Sequence, residues 1–138
     1  VKISNQSNSD NINDGLKLTN AYITTALKCV PPGDKPNREE LVNCFQFFNN
    51  EITNLKNLKT IVALGKIAFD ACLNFYREDY EIKTKNYKFS HGCKFQLPDK
   101  KILVGCYHPS PRNVNTGRIN IKKMVNLLNE VKKITLRY

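Results

Sequence analysis

The stretch that decides the fold is Ile102-Leu103-Val104-Gly105-Cys106, which runs directly into Tyr107-His108-Pro109-Ser110-Pro111-Arg112-Asn113-Val114-Asn115-Thr116-Gly117-Arg118. The first part is a short apolar run, and such a run between turn residues predicts a buried strand. The second part holds two prolines, two asparagines and a glycine, which favour a turn and end the strand. The sequence therefore predicts that His108 lies at the carboxyl end of a strand, the edge where open α/β sheets bind ligands.

The loop that follows His108 is rich in hydrogen-bond donors. Its hydroxyls, side-chain amides, guanidinium group and glycine amide suit phosphate oxygens or the edges of bases. A histidine at a strand end often does no more than bond to the backbone, and the neighbouring donors are what favour a binding role here. These donors are Ser110, Asn113, Asn115, Thr116, Gly117 and Arg118.

The rest of the chain alternates predicted strands and helices. Strands are predicted at residues 21–27, 60–64, 95–97 and 102–106, the last two paired across the Pro98-Asp99-Lys100 turn. Helices are predicted after Asn37 and from Ile67. A last helix follows Asn120, with Ile121, Met124, Leu127, Leu128, Val131 and Ile134 on its apolar face. This alternation predicts one α/β domain over residues 1–138, with a mainly parallel sheet covered by helices on both faces.

The charge balance indicates a polyanionic partner. The chain carries 22 Lys and Arg against 12 Asp and Glu, a formal net charge of +10. Nucleic acid is the leading partner and an anionic membrane surface the second, although a lysine-rich soluble surface also fits. The sequence shows neither an apolar run long enough for a bilayer nor a signal-peptide pattern at its amino end, which favours an intracellular protein.

Five cysteines leave two interpretations open. An odd count in a chain without a secretion signal argues against a disulfide framework, so metal ligation and buried thiols both remain. Cys29 and Cys44 flank a proline-rich turn at residues 31–36, and they are not the close pair of a zinc ribbon. Taken alone, Cys44 fits the apolar face of the first helix.

Residues 107–118 resemble the catalytic and DNA-intercalating motif of the family 5 (type b) uracil-DNA glycosylases. Residues 14–24 and 28–36 are similar to the family segment that supplies an iron–sulfur ligand, and residues 61–71 and 89–92 are similar to further family segments. The resemblance runs in the family's order from about residue 14 to the last helix. It implies a three-layer α/β/α sandwich around a four-stranded, mainly parallel sheet.

The resemblance also implies an activity. Such an enzyme flips uracil out of DNA and hydrolyses its bond to deoxyribose, which starts base excision repair; the type b branch also accepts other deaminated bases such as hypoxanthine. By position, His108 faces the flipped base, and Thr25 stands where family 4 relatives carry a base-reading asparagine. The implied DNA contacts are Ser110, Arg112, Asn113, Val114, Asn115, Thr116, Gly117 and Arg118, of which residues 112–115 press into the duplex.

The cofactor implied by the resemblance is a [4Fe–4S] cluster with Cys29 and Cys44 as two of its four ligands. The other two ligands and the family's first glycine-rich motif are expected upstream of Val1, so we expect an amino-terminally truncated chain with an incomplete active site. The implied protein is a monomer that acts on DNA, not at a membrane, in the cytoplasm at the nucleoid.

Two alternatives stay open on the sequence. The first is a catalytically incomplete nucleic-acid-binding fragment or degenerate relative, which needs only the basic surface and the loop. The second is a phosphate-binding metabolic enzyme, which requires a glycine-rich loop between a strand and a helix; Gly65 alone does not supply one.

Overall fold

The computed structural model describes residues 3–28, 33 and 36–137, and within them three strands form one sheet. The strands are β1 (Thr60–Leu64), β2 (Lys94–Gln96) and β3 (Ile102–Cys106), in the order β1-β3-β2. β1 runs parallel to β3, and β2 runs antiparallel to β3 across the turn at residues 98–100, as predicted. Parallel neighbours need a long crossover connection, and the chain between β1 and β3 provides it.

In the described part of the chain, the sheet is accompanied by four α-helices and by a 3₁₀ turn at residues 84–86. The first helix begins with a capping box: the Asn37 side chain accepts from the Glu40 amide, and the Glu40 carboxylate accepts from the Asn37 amide. The last helix begins in a similar way, since the Asn120 side chain accepts from the Lys123 amide over 2.9 Å. Both helices therefore begin where the sequence predicts them, after Asn37 and after Asn120. The elements are α1 (Arg38–Asn54), α2 (Lys66–Asp79), the 3₁₀ turn (Thr84–Asn86), α3 (Pro111–Asn115) and α4 (Ile121–Arg137).

Helices cover both faces of the sheet. Successive residues of β3 point to opposite sides. Leu103 joins a core with Phe48 of α1 and Phe69 of α2. Val104, on the other face, joins a second core with Leu127 of α4. This arrangement confirms the α/β fold class with helical layers on either side of a sheet.

The prediction of a strand at residues 21–27 is wrong. Those residues are irregular, and the sheet of the described residues has three strands, one of them antiparallel, instead of four. β-branched and aromatic residues favour a strand only where a ladder partner and a packed face exist. Tyr22 and Ile23 have neither, since they are 57% and 69% exposed.

The apolar face of α4 is confirmed except at its first residue. Met124, Leu128, Val131 and Ile134 pack around the second core, but Ile121 is 83% exposed. Ile119, fully buried just before the helix, fills the core at that end instead. None of the helices in the described part of the chain is long and apolar enough to cross a membrane.

Candidate functional site

His108 lies just beyond β3, at the edge of the sheet where β1 also ends. The parallel register pairs Leu64 with Cys106, and the Gly65 amide donates to the Cys106 carbonyl over 2.7 Å. The carboxyl ends of the two strands are so close that a Cβ placed on Gly65 would lie 3.1 Å from the His108 Cβ. His108 is exposed to solvent. The predicted placement of this histidine at the carboxyl edge of the sheet is therefore confirmed.

The residues after His108 fold into the single helical turn of α3. Ser110 is the N-cap, and its Oγ accepts from the Asn113 amide over 3.4 Å. The Asn113 side chain donates from Nδ2 to the His108 carbonyl over 2.8 Å. The loop thus closes back on the residue that carries the imidazole, which limits how far His108 can move.

The far end of the loop is fastened to α4. Lys123 donates from Nζ to the carbonyls of Gly117 and Arg118 over 3.0 and 3.2 Å. Ile119 donates its amide to the Asn113 carbonyl over 3.2 Å, and its side chain is fully buried. The loop is therefore anchored at both ends while its middle faces outward.

The outward side of the loop carries most of the predicted DNA contacts. The side chain of Val114, the apolar member of the set, is 48% exposed. Ser110 and Asn113 are half-buried because both hold the loop together. The exposed members of the predicted set are Arg112, Val114, Asn115, Thr116, Gly117 and Arg118.

Tyr107 is the centre of an aromatic and cationic cluster that the sequence analysis missed. The Arg118 guanidinium carbon lies 4.4 Å from the centre of the Tyr107 ring, a cation–π contact. The His91 ring lies 5.3 Å from the same ring at an interplanar angle of 33°. The His91 Nδ1 also accepts from the Tyr107 amide over 3.4 Å.

The signal that could have revealed this cluster was the hairpin. β2 and β3 pair with Lys94 opposite Val104, and extending that register by three residues places His91 opposite Tyr107. The register holds as far as Cys93, whose carbonyl accepts from the Gly105 amide over 2.9 Å; the chain then turns, and the Gly92 amide donates to the Gly105 carbonyl over 2.8 Å, one residue out of register.

Thr25 lies in the irregular segment before α1. It is exposed, and its hydroxyl donates to the Leu27 carbonyl two residues on. Among the described residues, no hydrogen bond joins Thr25 to residues 107–118. The role of Thr25 in a base pocket therefore stays a prediction.

An ionic cluster fixes the end of this segment to α1. The Lys28 ammonium lies 2.7 Å from a Glu51 carboxylate oxygen and 2.6 Å from the Thr24 hydroxyl, which itself donates to Glu51. The hydrogen bonds from Lys28 and then Thr24 hold the pKa of Glu51 below its ordinary value. Lys28 is thereby held against the side of α1 that carries Cys44.

Cys44 lies in α1 and is buried, with 7% of its surface exposed. Its Sγ accepts the backbone N–H of Lys28 over 3.4 Å. Cys29, the other predicted ligand, lies outside the described residues. Within the described ranges, no group of three or more histidine, cysteine, aspartate or glutamate side chains is arranged to hold a metal ion.

Two other cysteines, Cys72 and Cys106, belong to the core. Burial raises the pKa of the Cys72 thiol to about 12 and also raises the pKa of Cys106. Cys93 is half-buried, and its Sγ fills the space that a side chain at position 105 would need, which explains the glycine there.

The sequence is similar to those of known proteins. The family described as the Uracil DNA glycosylase superfamily matches residues 2–132. A Type-5 uracil-DNA glycosylase of Thermus thermophilus is 34% identical over 121 residues, 88% of this chain and 53% of the relative. One from Pyrobaculum aerophilum is 32% identical, over 91% of this chain and 52% of the relative. A Type-4 uracil-DNA glycosylase of Archaeoglobus fulgidus is 28% identical, over 70% and 48%.

The chain spans about half the length of the curated relatives it matches. The family match nevertheless extends over almost the whole chain, and it includes β1, β3 and the His108 loop. The chain therefore belongs to the uracil DNA glycosylase superfamily.

Proposed function

We propose that the protein is a DNA repair glycosylase that hydrolyses the N-glycosidic bond of uracil in DNA and so initiates base excision repair. Family membership and the names of the relatives support the class of reaction. The observation that carries the proposal is the place of His108, exposed at the joint carboxyl edge of β1 and β3 and against Gly65. A ligand bound at that edge would lie beside the exposed imidazole.

The substrate base has to leave the duplex before such a site can reach it. Flipping costs a few kcal/mol of stacking and pairing energy, which a wedge in the vacated space offsets. We assign the wedge to residues 112–115, because α3 projects Val114 and its neighbours into solvent from a loop anchored at both ends. Val114 supplies the apolar contact with the exposed faces of the bases.

The phosphate contacts are assigned to the two ends of the loop. The Ser110 oxygen accepts from the Asn113 amide, which leaves the hydroxyl proton free to donate to a phosphate. At the other end of the loop, the phosphate contacts are assigned to Thr116, Gly117 and Arg118. The Arg118 guanidinium is already held over the Tyr107 ring. The net charge of +10 adds a long-range attraction that falls as salt rises.

His108 is assigned to the leaving base. Cleavage of the glycosidic bond builds negative charge on uracil, and a fixed donor aimed at that charge stabilises the transition state. An imidazole N–H donates to a uracil carbonyl oxygen, while the His108 main chain stays fixed by Asn113. Thr25 is proposed for the base pocket from its position in the family motif alone. Hypoxanthine is proposed as a second substrate on the same resemblance.

We also propose that Cys29 and Cys44 are two ligands of a [4Fe–4S] cluster. Cys44 fits the role because the amide of Lys28, the residue joined to Cys29, already donates to its sulfur, and such bonds are typical of cluster thiolates. Cys29 and Cys44 would hold such a cluster between the segment before α1 and the helix itself. Its role there would be structural, because glycosidic hydrolysis transfers no electrons. The full-length protein should be brown and contain iron, and Cys44→Ser should lower the iron content; a colourless, iron-free protein would refute this assignment.

The decisive experiment is single-turnover uracil release by the full-length protein from DNA with one uracil. We expect release by the wild type and a loss of about 10²-fold or more in His108→Ala, with DNA affinity little changed. Asn13→Ala is the control, because Asn13 lies in an exposed turn far from His108 in the sequence. Binding of DNA without release in the wild type would favour the noncatalytic alternative, and normal release by His108→Ala would remove the histidine from the mechanism.

The working form is proposed to be a monomer acting on DNA at the nucleoid of the cytoplasm. Sedimentation of the protein with and without uracil-containing DNA would test the stoichiometry, with one protein for each uracil expected. A dimer that persists at nanomolar concentration would contradict it.

A further inference from the structure

We infer that His91 is a positioning residue for His108, acting through the Tyr107 backbone and ring. The inference rests on the proposed function, because it assigns a role within the same site. The residue comes from the turn before β2 and lies outside the loop of residues 107–118. The sequence alone favours a merely structural role for it.

The first step is the register of the hairpin. The pairing of Lys94 with Val104 is continued in register by one bond, from the Gly105 amide to the Cys93 carbonyl over 2.9 Å. A second bond, from the Gly92 amide to the Gly105 carbonyl over 2.8 Å, is shifted by one residue. Past this shift the His91 side chain, in place of its backbone, meets the Tyr107 amide. These bonds hold the turn that contains His91 against the end of β3.

The second step is the hydrogen bond itself. Tyr107 is the first residue after β3. Its N–H lies beyond the end of the ladder that β2 and β3 form, so no β2 carbonyl accepts it. The His91 Nδ1 accepts that N–H over 3.4 Å. Acceptance at Nδ1 requires a neutral imidazole with its proton on Nε2. The bond fixes the direction in which the chain leaves the strand toward His108.

The third step is the packing of the Tyr107 ring. The ring contacts His91 at 5.3 Å and the Arg118 guanidinium at 4.4 Å, and Phe89 lies 6.1 Å away at an angle of 59°. Both ends of the His108 loop therefore meet on one ring, since Tyr107 precedes the loop and Arg118 closes it. Loss of His91 would loosen the main-chain exit and this ring together.

The consequence for catalysis is geometric. A histidine donor displaced by about 1 Å from the leaving base loses most of its effect, of the order of 10²-fold in rate. Contacts to phosphate, which depend on exposed side chains of the loop, are less sensitive to so small a shift. Removal of His91 should therefore affect the chemical step more than DNA binding.

The test compares three substitutions in the full-length protein. His91→Asn keeps an acceptor near the place of Nδ1, His91→Gln moves it to the place of Nε2, and His91→Leu removes it at similar volume. We expect Asn to retain uracil release within about threefold of wild type, and Leu and Gln to lose about tenfold or more at saturating DNA. Ser90→Ala, an exposed neighbour whose hydroxyl makes no hydrogen bond among the described residues, is the matched control.

A second readout does not depend on activity. Hydrogen exchange of the Tyr107 amide should be slow in wild type and in His91→Asn, and about tenfold faster in Leu and Gln. A wild type that releases no uracil would refute the proposed function, while the exchange data alone would then decide the role of His91. Equal exchange and equal single-turnover rates in all three variants would overturn the inference; the Gln variant decides if Leu does not fold.

Discussion

Gly65 and His108 occupy adjoining ends of two parallel strands, and the glycine leaves the space in which the histidine lies. The Gly65 backbone has a φ of +100° and a ψ of 165°, a region open in practice only to glycine. A Cβ at this position would come within 3.1 Å of the His108 Cβ. Backbone conformation and close approach thus both require glycine where β1 turns into α2.

Gly65→Ala should therefore impair the site more than the fold. We expect a stability loss of about 1–3 kcal/mol from the backbone conformation and a shift of His108 by a few tenths of an ångström or more. Uracil release at saturating DNA should fall by about tenfold or more. Chemical denaturation and single-turnover release measure the two effects separately.

Gly15→Ala is the control for this substitution. Gly15 also has a positive φ, +77°, but nothing lies within 4 Å of an added Cβ. It should lose stability without losing the rate of release. If Gly65→Ala releases uracil at the wild-type rate, the close approach of Gly65 to His108 does not affect catalysis.

The ion pair of Lys28 with Glu51 should make the segment before α1 sensitive to acid. The pKa of Glu51 in the folded protein lies below its ordinary 4.5, because Lys28 and Thr24 donate to the carboxylate. The stabilisation from this depressed pKa is complete above pH 4.5 and is lost as the pH falls below it. Glu51→Gln should remove this pH dependence and expose the Lys28 amide at neutral pH.

Hydrogen exchange of the Lys28 amide measures this effect, because that amide donates to the Cys44 sulfur. Faster exchange in Glu51→Gln than in wild type is expected. Glu39→Gln, an exposed carboxylate of the first turn of α1, should leave the amide unchanged. The proposed link from Glu51 to Cys44 fails if both variants exchange alike.

Alkaline pH should destabilise the core around α2. Burial raises the pKa of Cys72 from 9.0 to about 12, and burial with the nearby Asp99 carboxylate also raises the pKa of Tyr76 above its usual 10.0. The unfolded chain releases these protons first, so their stabilising contribution is complete below pH 9.0 and disappears as the pH rises toward 12. Each such group contributes a slope of about 1.4 kcal/mol per pH unit.

Denaturation of Cys72→Ala at a series of pH values tests this slope. The variant should lose less stability than wild type between pH 9 and 11, by about 1.4 kcal/mol per unit. Leu73→Ala, which removes a buried neighbour without a titrating group, should keep the wild-type slope. Parallel curves for wild type and Cys72→Ala would contradict the prediction.

The elements that the sequence predicts correctly are those whose signals are local. The helix starts after Asn37 and Asn120 and the apolar run of β3 each depend on residues within one turn or one strand. The position of His108 follows from them, because a run that ends in proline and asparagine has to leave the sheet there.

The elements missed are those that need a partner from elsewhere. The segment around Ile23 has strand composition but no neighbouring ladder among the described residues, so composition alone misled. His91 was undervalued for the opposite reason, since its partner Tyr107 lies 16 residues away and meets it only through the hairpin register. Asn113 was predicted to contact DNA, although its side-chain amide donates to the His108 carbonyl inside the loop.

Asn113 therefore offers the sharpest separation between holding the loop and touching DNA. Its Nδ2 donates to the His108 carbonyl, and its backbone is tied to both Ser110 and Ile119. Asn113→Asp replaces the donor by a carboxylate that faces the carbonyl oxygen, so it should be worse than Asn113→Ala. We expect losses in single-turnover uracil release of roughly tenfold for Ala and more for Asp.

Asn115→Ala is the matched comparison, because Asn115 is exposed and its side chain makes no hydrogen bond among the described residues. It should weaken DNA binding with little change in the rate at saturation, the reverse of the Asn113 pattern. DNA affinity from titration and the rate of the bound complex distinguish the two. If Asn113→Ala changed affinity alone, Asn113 would contact DNA directly and the bond to His108 would be dispensable.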